Sequence, residues 1–434
     1  MKKIFTIAAL SALALPAFAE PSAEATFEPA QEPVAEPVAE ASFEPAQSWT
    51  PAPSTSNSGG VNNEESLFDM VTGLKTKTDK FHLYMNTHFN YDMNWSGTGG
   101  TDFDGGKFRF QQLRIEFKGN VNDWISYRYR QRLTSNAFGN FDNVLKSIDI
   151  MEVGFRYKKV NFVLGKQCAA YGGIEFDLNP IEVYQYCDMI DYMDNFMTGV
   201  RAAWDINSSQ QLQFQILDAT ALNPGNMYGE NIIKAKMPFV YTVNWNGNFN
   251  DVYATRWSAS FMNEIKNKHM WYFAFGNLFN FTPQWGAYFD VMYSREGIDR
   301  KGIVTNVVGT QGKIKNADEE VIGHNAYNTD YLSLVLHTNY FAHPKWNIFG
   351  KMAWERNGVY KASDEVLKGN YGTDWLYIGG IEYYPLKDRG LHFFLTYIGQ
   401  KTTHSKMAQE NYGAQPHSYT NALSCGFIWQ IPLF

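Results

Sequence analysis

The chain has little cysteine, no long apolar run past its start, and no recognisable catalytic motif. Its 434 residues include 3 cysteines, Cys168, Cys187 and Cys425. An odd count leaves at least one unpaired and excludes a disulfide-built scaffold. A Cys168–Cys187 bridge would close one loop, and Cys425 reads as a small apolar strand residue. Beyond the N-terminus no apolar run reaches the ~18 residues of a membrane helix. A Gly-x-Ser-x-Gly elbow, a P-loop, a His-Glu-x-x-His pair and a dinucleotide fingerprint are all missing. The nine histidines show no ligand spacing. The expectation is therefore no enzyme, no metal and no cofactor, the alternative being Ca²⁺ held by the clustered carboxylates between Ala169 and Asn195. Basic residues are absent from Glu20 to Glu65, where nine are acidic. Lys2 and Lys3 stand at the start. Setting these aside leaves 37 less 2 basic and 44 less 9 acidic residues, 35 of each. A neutral body excludes a general nucleic-acid binder.

What is present is rhythm. Aromatic residues make up 16% of a chain whose mean hydropathy is negative. Residues 1–19 read as a secretory signal: two lysines, an apolar stretch from Ile4 to Leu15, and Ala17-Phe18-Ala19. Residues 20–79 read as a Pro/Ala/Glu-rich disordered periplasmic linker. Within it Ala25-Thr26-Phe27-Glu28-Pro29-Ala30-Gln31 nearly repeats as Ala41-Ser42-Phe43-Glu44-Pro45-Ala46-Gln47. Glu64 to Leu74 suggests a short helix.

From residue 80 the period becomes two, the signature of a strand with unlike faces. In Ile125-Ser126-Tyr127-Arg128-Tyr129-Arg130-Gln131-Arg132-Leu133 one face holds Ile125, Tyr127, Tyr129 and Leu133. The other holds Ser126, Arg128, Arg130 and Arg132. Sixteen such strands can be placed, near 80–94, 107–119, 122–134, 147–158, 160–168, 196–207, 210–219, 237–246, 252–264, 268–279, 283–294, 328–341, 345–356, 373–384, 389–401 and 417–434. A parity change predicts a bulge near Gln111-Gln112, and Gly119-Asn120-Val121-Asn122 predicts a turn. Short connections alternate with long ones, the longest being Ala169–Asn195 and Arg295–Tyr327. Only Ile265–Asn267 breaks that alternation, which suggests a misplaced hairpin. The fold class expected is all-β: a transmembrane antiparallel β-barrel of about 16 strands, with short periplasmic turns and long outer loops, in the outer membrane of a Gram-negative bacterium. Pro432 is expected to break the last ladder.

Three stretches carry a family resemblance: Phe110-Gln111-Gln112-Leu113-Arg114-Ile115-Glu116-Phe117-Lys118-Gly119, then Gly165-Lys166-Gln167 running into Gly172-Gly173-Ile174-Glu175, and Trp285 to Tyr293 followed by Ser294-Arg295-Glu296-Gly297. They resemble the phosphate-selective porin O and P family. The resemblance implies a sixteen-stranded, trimeric outer-membrane porin whose third outer loop folds inward. The partners so implied are small hydrophilic solutes or inorganic anions, outer-membrane lipid and two further copies of the chain.

The pore-lining basic candidates are Arg114, Arg128, Arg130, Arg132, Arg156, Lys166 and Arg201. The Arg128/Arg130/Arg132 row is read first as pore-lining, the bland alternative being a solvated face paired with Glu116 and Glu152. The candidate constriction loop, Ala169 to Asn195, has no Lys or Arg and carries Glu175, Asp177, Glu182, Asp188, Asp191 and Asp194. Folded inward, it would set an acidic side against a basic one, an arrangement suited to general diffusion rather than to trapping phosphate. The function expected is passive diffusion, anion-preferring if the arginines line the lumen. The alternative is a structural or adhesive barrel tethered to the cell wall by its N-terminal segment.

Overall fold

The structure, a computed structural model, describes residues 79–134, 147–219, 227–229, 232–309, 314–315, 321–363, 366–386 and 390–434. The signal peptide, nearly all of the linker and the helix expected over Glu64 to Leu74 lie outside the described residues. The strands are β1 (His82–Gly97), β2 (Asp102–Asn122), β3 (Ile125–Arg132), β4 (Ile148–Tyr157), β5 (Val160–Cys168), β6 (Phe196–Asp205), β7 (Gln210–Asp218), β8 (Phe239–Phe249) and β9 (Tyr253–Ile265). They continue with β10 (Lys268–Thr282), β11 (Trp285–Ile298), β12 (Ile314–Lys315), β13 (Val321–Gly323), β14 (Tyr327–His343), β15 (Trp346–Val359), β16 (Gly369–Leu386), β17 (Leu391–His404) and β18 (His417–Pro432). Sixteen of them close into one antiparallel barrel, each strand pairing with its neighbours in sequence and β18 returning to β1; β12 and β13 pair apart from it.

The two-residue rhythm builds this ring. Leu164 on β5 is 46% exposed, whereas its neighbour Val163 is 0% exposed. A closed ring leaves no edge, so every strand can pair on both sides while its apolar face meets lipid. Tyr127 and Tyr129 face outward, where Tyr129 stacks on Phe117 with centroids 4.7 Å apart. The expected bulge is present: His88 pairs with Gln112 and Phe89 with Phe110, leaving Gln111 as the extra residue.

Four expectations need correction. The β2–β3 turn lies beyond Gly119, at Asp123-Trp124, where the Asn122 side chain accepts the N–H groups of Trp124 and Ile125. Gly119 is instead a strand residue whose backbone touches that of Lys80: a Cβ there would meet the Lys80 carbonyl at 2.0 Å. The short β9–β10 connection is genuine. The preceding outer segment covers it, with Ala235 N–H donating to Glu264 and Lys266 N–H to Ile233, both at 2.9 Å. Pro432 does not break the ladder. It stands opposite Tyr84, and pairing with β1 continues past it, where Leu433 N–H donates to Leu83. The proline's missing N–H faces the β17 side, where that ladder has already ended at Trp429. All three cysteines are free, so Cys168 and Cys187 form no disulfide.

The walls differ in height. Strands β3 to β7 run for 8 to 10 residues, close to the 9–11 that cross a bilayer. Strands β14 to β18 run for 14 to 18. Among the described residues four helices lie between strands: α1 (Ile174–Asp177), α2 (Asp188–Asp191), α3 (Ile303–Val308) and α4 (Lys406–Tyr412). The inner faces are not polar throughout. Phe176, Ile181, Met189 and Ile190 join Tyr272, Met292, Val335 and Phe349 of the wall in one buried apolar cluster.

Candidate functional site

The lumen is shaped by the segment from Ala169 to Asn195, which carries α1 and α2. Gly172 and Gly173 take positive φ angles of 75° and 86°, accessible to glycine at little cost. They let the chain lie flat on the wall: a Cβ on Gly276 of β10 would sit 2.7 Å from the Gly173 Cα. From there the loop is pinned along its length. Ala170 N–H donates to Gln215 on β7 at 2.6 Å. Ile174 and Glu175 N–H groups donate to Asp290 on β11, each at 2.9 Å. The α2 N–H groups of Asp188 and Met189 donate to Glu355 on β15 at 2.6 and 2.9 Å. Tyr184 donates its hydroxyl to Glu382 on β16 at 2.7 Å, and Gln111 on β2 donates to the Tyr184 carbonyl at 2.8 Å. The loop thus spans the interior from β7 to β2.

Most of its acidic residues are occupied in this seating. Glu175 pairs with Lys351. Asp177 pairs with Arg256 at 2.9 Å and Asp194 with Arg300 at 2.6 Å. Glu182 lies 3.7 Å from His392. Arg300 also pairs with Glu264, which accepts the Tyr228 hydroxyl at 2.6 Å, joining the loop to two other outer segments. Asp188 and Asp191 stand apart. Burial, then the charges of Glu355, Asp374 and Asp191, push the Asp188 carboxyl up to about 8. Partial burial raises the Asp191 carboxyl against the pull of Lys351. The six carboxylates therefore do not form one acidic face opposite the arginines. Four of them meet Arg256 on β9, Lys351 on β15, His392 on β17 and Arg300 in the β11–β14 connection.

The basic candidates gather on the other side. Arg114 on β2 and Arg130 and Arg132 on β3 converge on Asp149 of β4, at 3.2, 3.5 and 2.7 Å. Asp149 is 0% exposed. Arg128 pairs with Glu116 at 2.8 Å, which matches the paired-face reading for that residue. Arg156, toward the short-turn end, lies 3.6 Å from Asp205. Lys166 is buried at the loop end of β5. Arg201 stands on β6 beside Val163 and Gln215, and its Nε has no hydrogen-bond partner among the described residues.

Asp149 was not among the sequence candidates. Alternation from Met151 and Val153, which face outward, would place it outward too. A register shift between Arg130 and Gln131 leaves Asp149 as an extra residue and turns it inward. A carboxylate on a nominal lipid face is itself a warning sign, because a bare charge there is costly. Lys351, Arg256 and Arg300 were missed because their partners lie far away in sequence.

The sequence profile of the family described as phosphate-selective porin O and P matches residues 81–431. No curated protein sequence matches the chain. Among solved structures it is similar to the outer-membrane channel DcaP of Acinetobacter baumannii, at 10% identity, covering 82% of this chain and 99% of that one with a TM-score of 0.51. An anion-selective porin from Comamonas acidovorans is similar at 8% identity, with 81% and 99% covered and a TM-score of 0.51. Salmonella typhi OmpF in complex with daunomycin is similar at 12% identity, with 82% and 99% covered and a TM-score of 0.51. At such identities these structures bear on the fold alone.

Proposed function

This chain belongs to the phosphate-selective porin O and P family, and from that premise we propose that its outer-membrane barrel passes small hydrophilic solutes with a preference for anions. Passage is by diffusion, and the residues do no chemistry on the solute. One observation carries the anion preference: three guanidiniums share a single carboxylate at Asp149, while four of the six loop carboxylates are matched by wall cations or a histidine. At Asp149 the surplus charge is positive. The loop brings no ammonium group, so the site attracts anions without the ring of donors that would hold a phosphate. The anion-selective porin similar in fold supports this reading by analogy only.

The finer assignments belong to the same proposal. The basic residues from Arg114 to Arg201 line the path, and the Ala169–Asn195 loop narrows it. The chain is exported by its signal peptide and works as a homotrimer. The linker leaves on the periplasmic side, since Asp79 accepts the N–H of Asn120 beside the short β2–β3 turn.

The test is the purified protein in planar bilayers under a salt gradient. Discrete current steps with an anionic reversal potential are expected. Replacing Arg114, Arg130 and Arg132 by Ala should move that potential toward cations. Absence of ion-conducting steps overturns the pore, and an unchanged potential in the triple variant removes these residues from the narrow region.

A further inference from the structure

The arginine wall carries more than charge. The Arg130 guanidinium lies over the Phe196 ring, 5.2 Å from its centroid. Across from it the loop is held at three points. Gln111 donates to the Tyr184 carbonyl at 2.8 Å, Lys351 to the Gln185 carbonyl at 2.6 Å, and the Gln185 amide to Gln400 at 3.2 Å. This brings the half-buried Tyr186 beside the wall. Burial pushes its phenol up, and the nearby charges of Arg114 and Arg130 only partly offset that rise. Arg114 is 4% exposed. It meets Asp149 through Nε, but its Nη1 finds no hydrogen-bond partner among the described residues.

We propose, building on the anion-preferring pore above, that this site favours organic carboxylates with an apolar body over inorganic phosphate. A buried guanidinium edge with an unused N–H calls for an oxyanion acceptor, which it can grip in its own plane. Phosphate presents charged oxygens on every side, and stripping its water needs donors all round it. Here the donors lie on one wall, Tyr186 and Phe196 offer ring surface, and Asp149 repels a second negative charge. A monocarboxylate can set its oxygens on Arg114 and its hydrocarbon against the rings.

The experiment is a bi-ionic reversal-potential measurement on the wild-type protein, with sodium benzoate or sodium phosphate set against sodium chloride and corrected for bulk mobility. Benzoate should permeate severalfold better than phosphate. Tyr186→Ala should lower the benzoate ratio and leave the phosphate ratio unchanged, and Tyr186→Phe should restore it. Phosphate permeating as well as benzoate in the wild type overturns the inference, and so does a Tyr186→Ala variant that lowers both ratios alike. Cation selectivity or a lack of channels refutes the underlying pore reading, a distinguishable result.

Discussion

At Asp149 one carboxylate meets three guanidiniums, so the group carries two more positive charges than negative. The carboxylate does two opposing things. It lowers the local potential that draws anions in, and it lets three like charges sit together on two adjoining strands. Asp149→Asn separates these effects. Losing one negative charge beside the path should raise the anion-to-cation permeability ratio by roughly two- to fivefold, the equivalent of about 0.5–1 kcal/mol at a partly screened site. Removing the partner of a buried charged group should also destabilise the barrel by about 3–5 kcal/mol. Reversal potential measures the first effect and the temperature of heat-modified migration in detergent gels the second. A lower anion ratio would mean that Asp149 acts by placing the arginines rather than by cancelling them.

At the scale of the element, the inward loop has a seat on β15 and β16 that is sensitive to protons. Asp188 faces Glu355, with Lys351 and Arg356 on the same strand already paired to Glu175 and Asp330. It also faces Asp374 on β16, Gln400 on β17, and Asp191 and Tyr192 of its own loop. Its carboxyl titrates about 8, against roughly 4 in an unfolded chain. A carboxyl raised on folding binds its proton more tightly in the seated state. Seating is therefore unpenalised below pH ~4 and progressively weakened as pH rises to about 8. Current fluctuations should grow between about pH 4 and 8 and level off above that, and Asp188→Asn should flatten that dependence. Lys351→Met attacks the same seat differently: it strands Glu175 without its cation, at a cost of about 3–5 kcal/mol. It should increase single-channel conductance; an unchanged conductance would mean that the loop is held without this pair.

This element also marks where sequence reading stops. The strands were legible because lipid on one side and water on the other impose a two-residue alternation that any single strand displays. The bulge at Gln111 showed for the same reason, as a slip in parity. The loop's partners did not: Asp177 meets Arg256 and Glu175 meets Lys351 only because the barrel carries strands distant in sequence to the same interior. Asp149 was hidden by a bulge that moves one residue to the other face. The acidic loop invited an electrostatic reading across the pore, whereas four of its six carboxylates meet cations or a histidine of the barrel.

At the scale of the whole molecule, the ring depends on one seam. β1 and β18 pair from Tyr84 with Pro432 up to Gly97 with Tyr419. Below that ladder Leu83 donates to the Phe434 carbonyl at 2.7 Å and accepts from Leu433 and Phe434 at 2.8 and 3.1 Å. Phe434 lies 5.6 Å from Phe81, which stacks on Phe117 at 6.3 Å. These last contacts sit at the short-turn rim, where water can partly replace lost partners, so their loss is milder than an open edge within lipid. Deleting Leu433 and Phe434 removes three backbone hydrogen bonds and a ring contact, about 2–4 kcal/mol in all. The heat-modification temperature should fall and refolding into detergent or lipid should slow, while channels that do form keep the parental reversal potential, because the deletion removes no side chain of the arginine group at Asp149. Deleting residues 21–60 should leave both the temperature and the conductance unchanged. If the two deletions act alike, the seam is not what sets the stability of the closed ring.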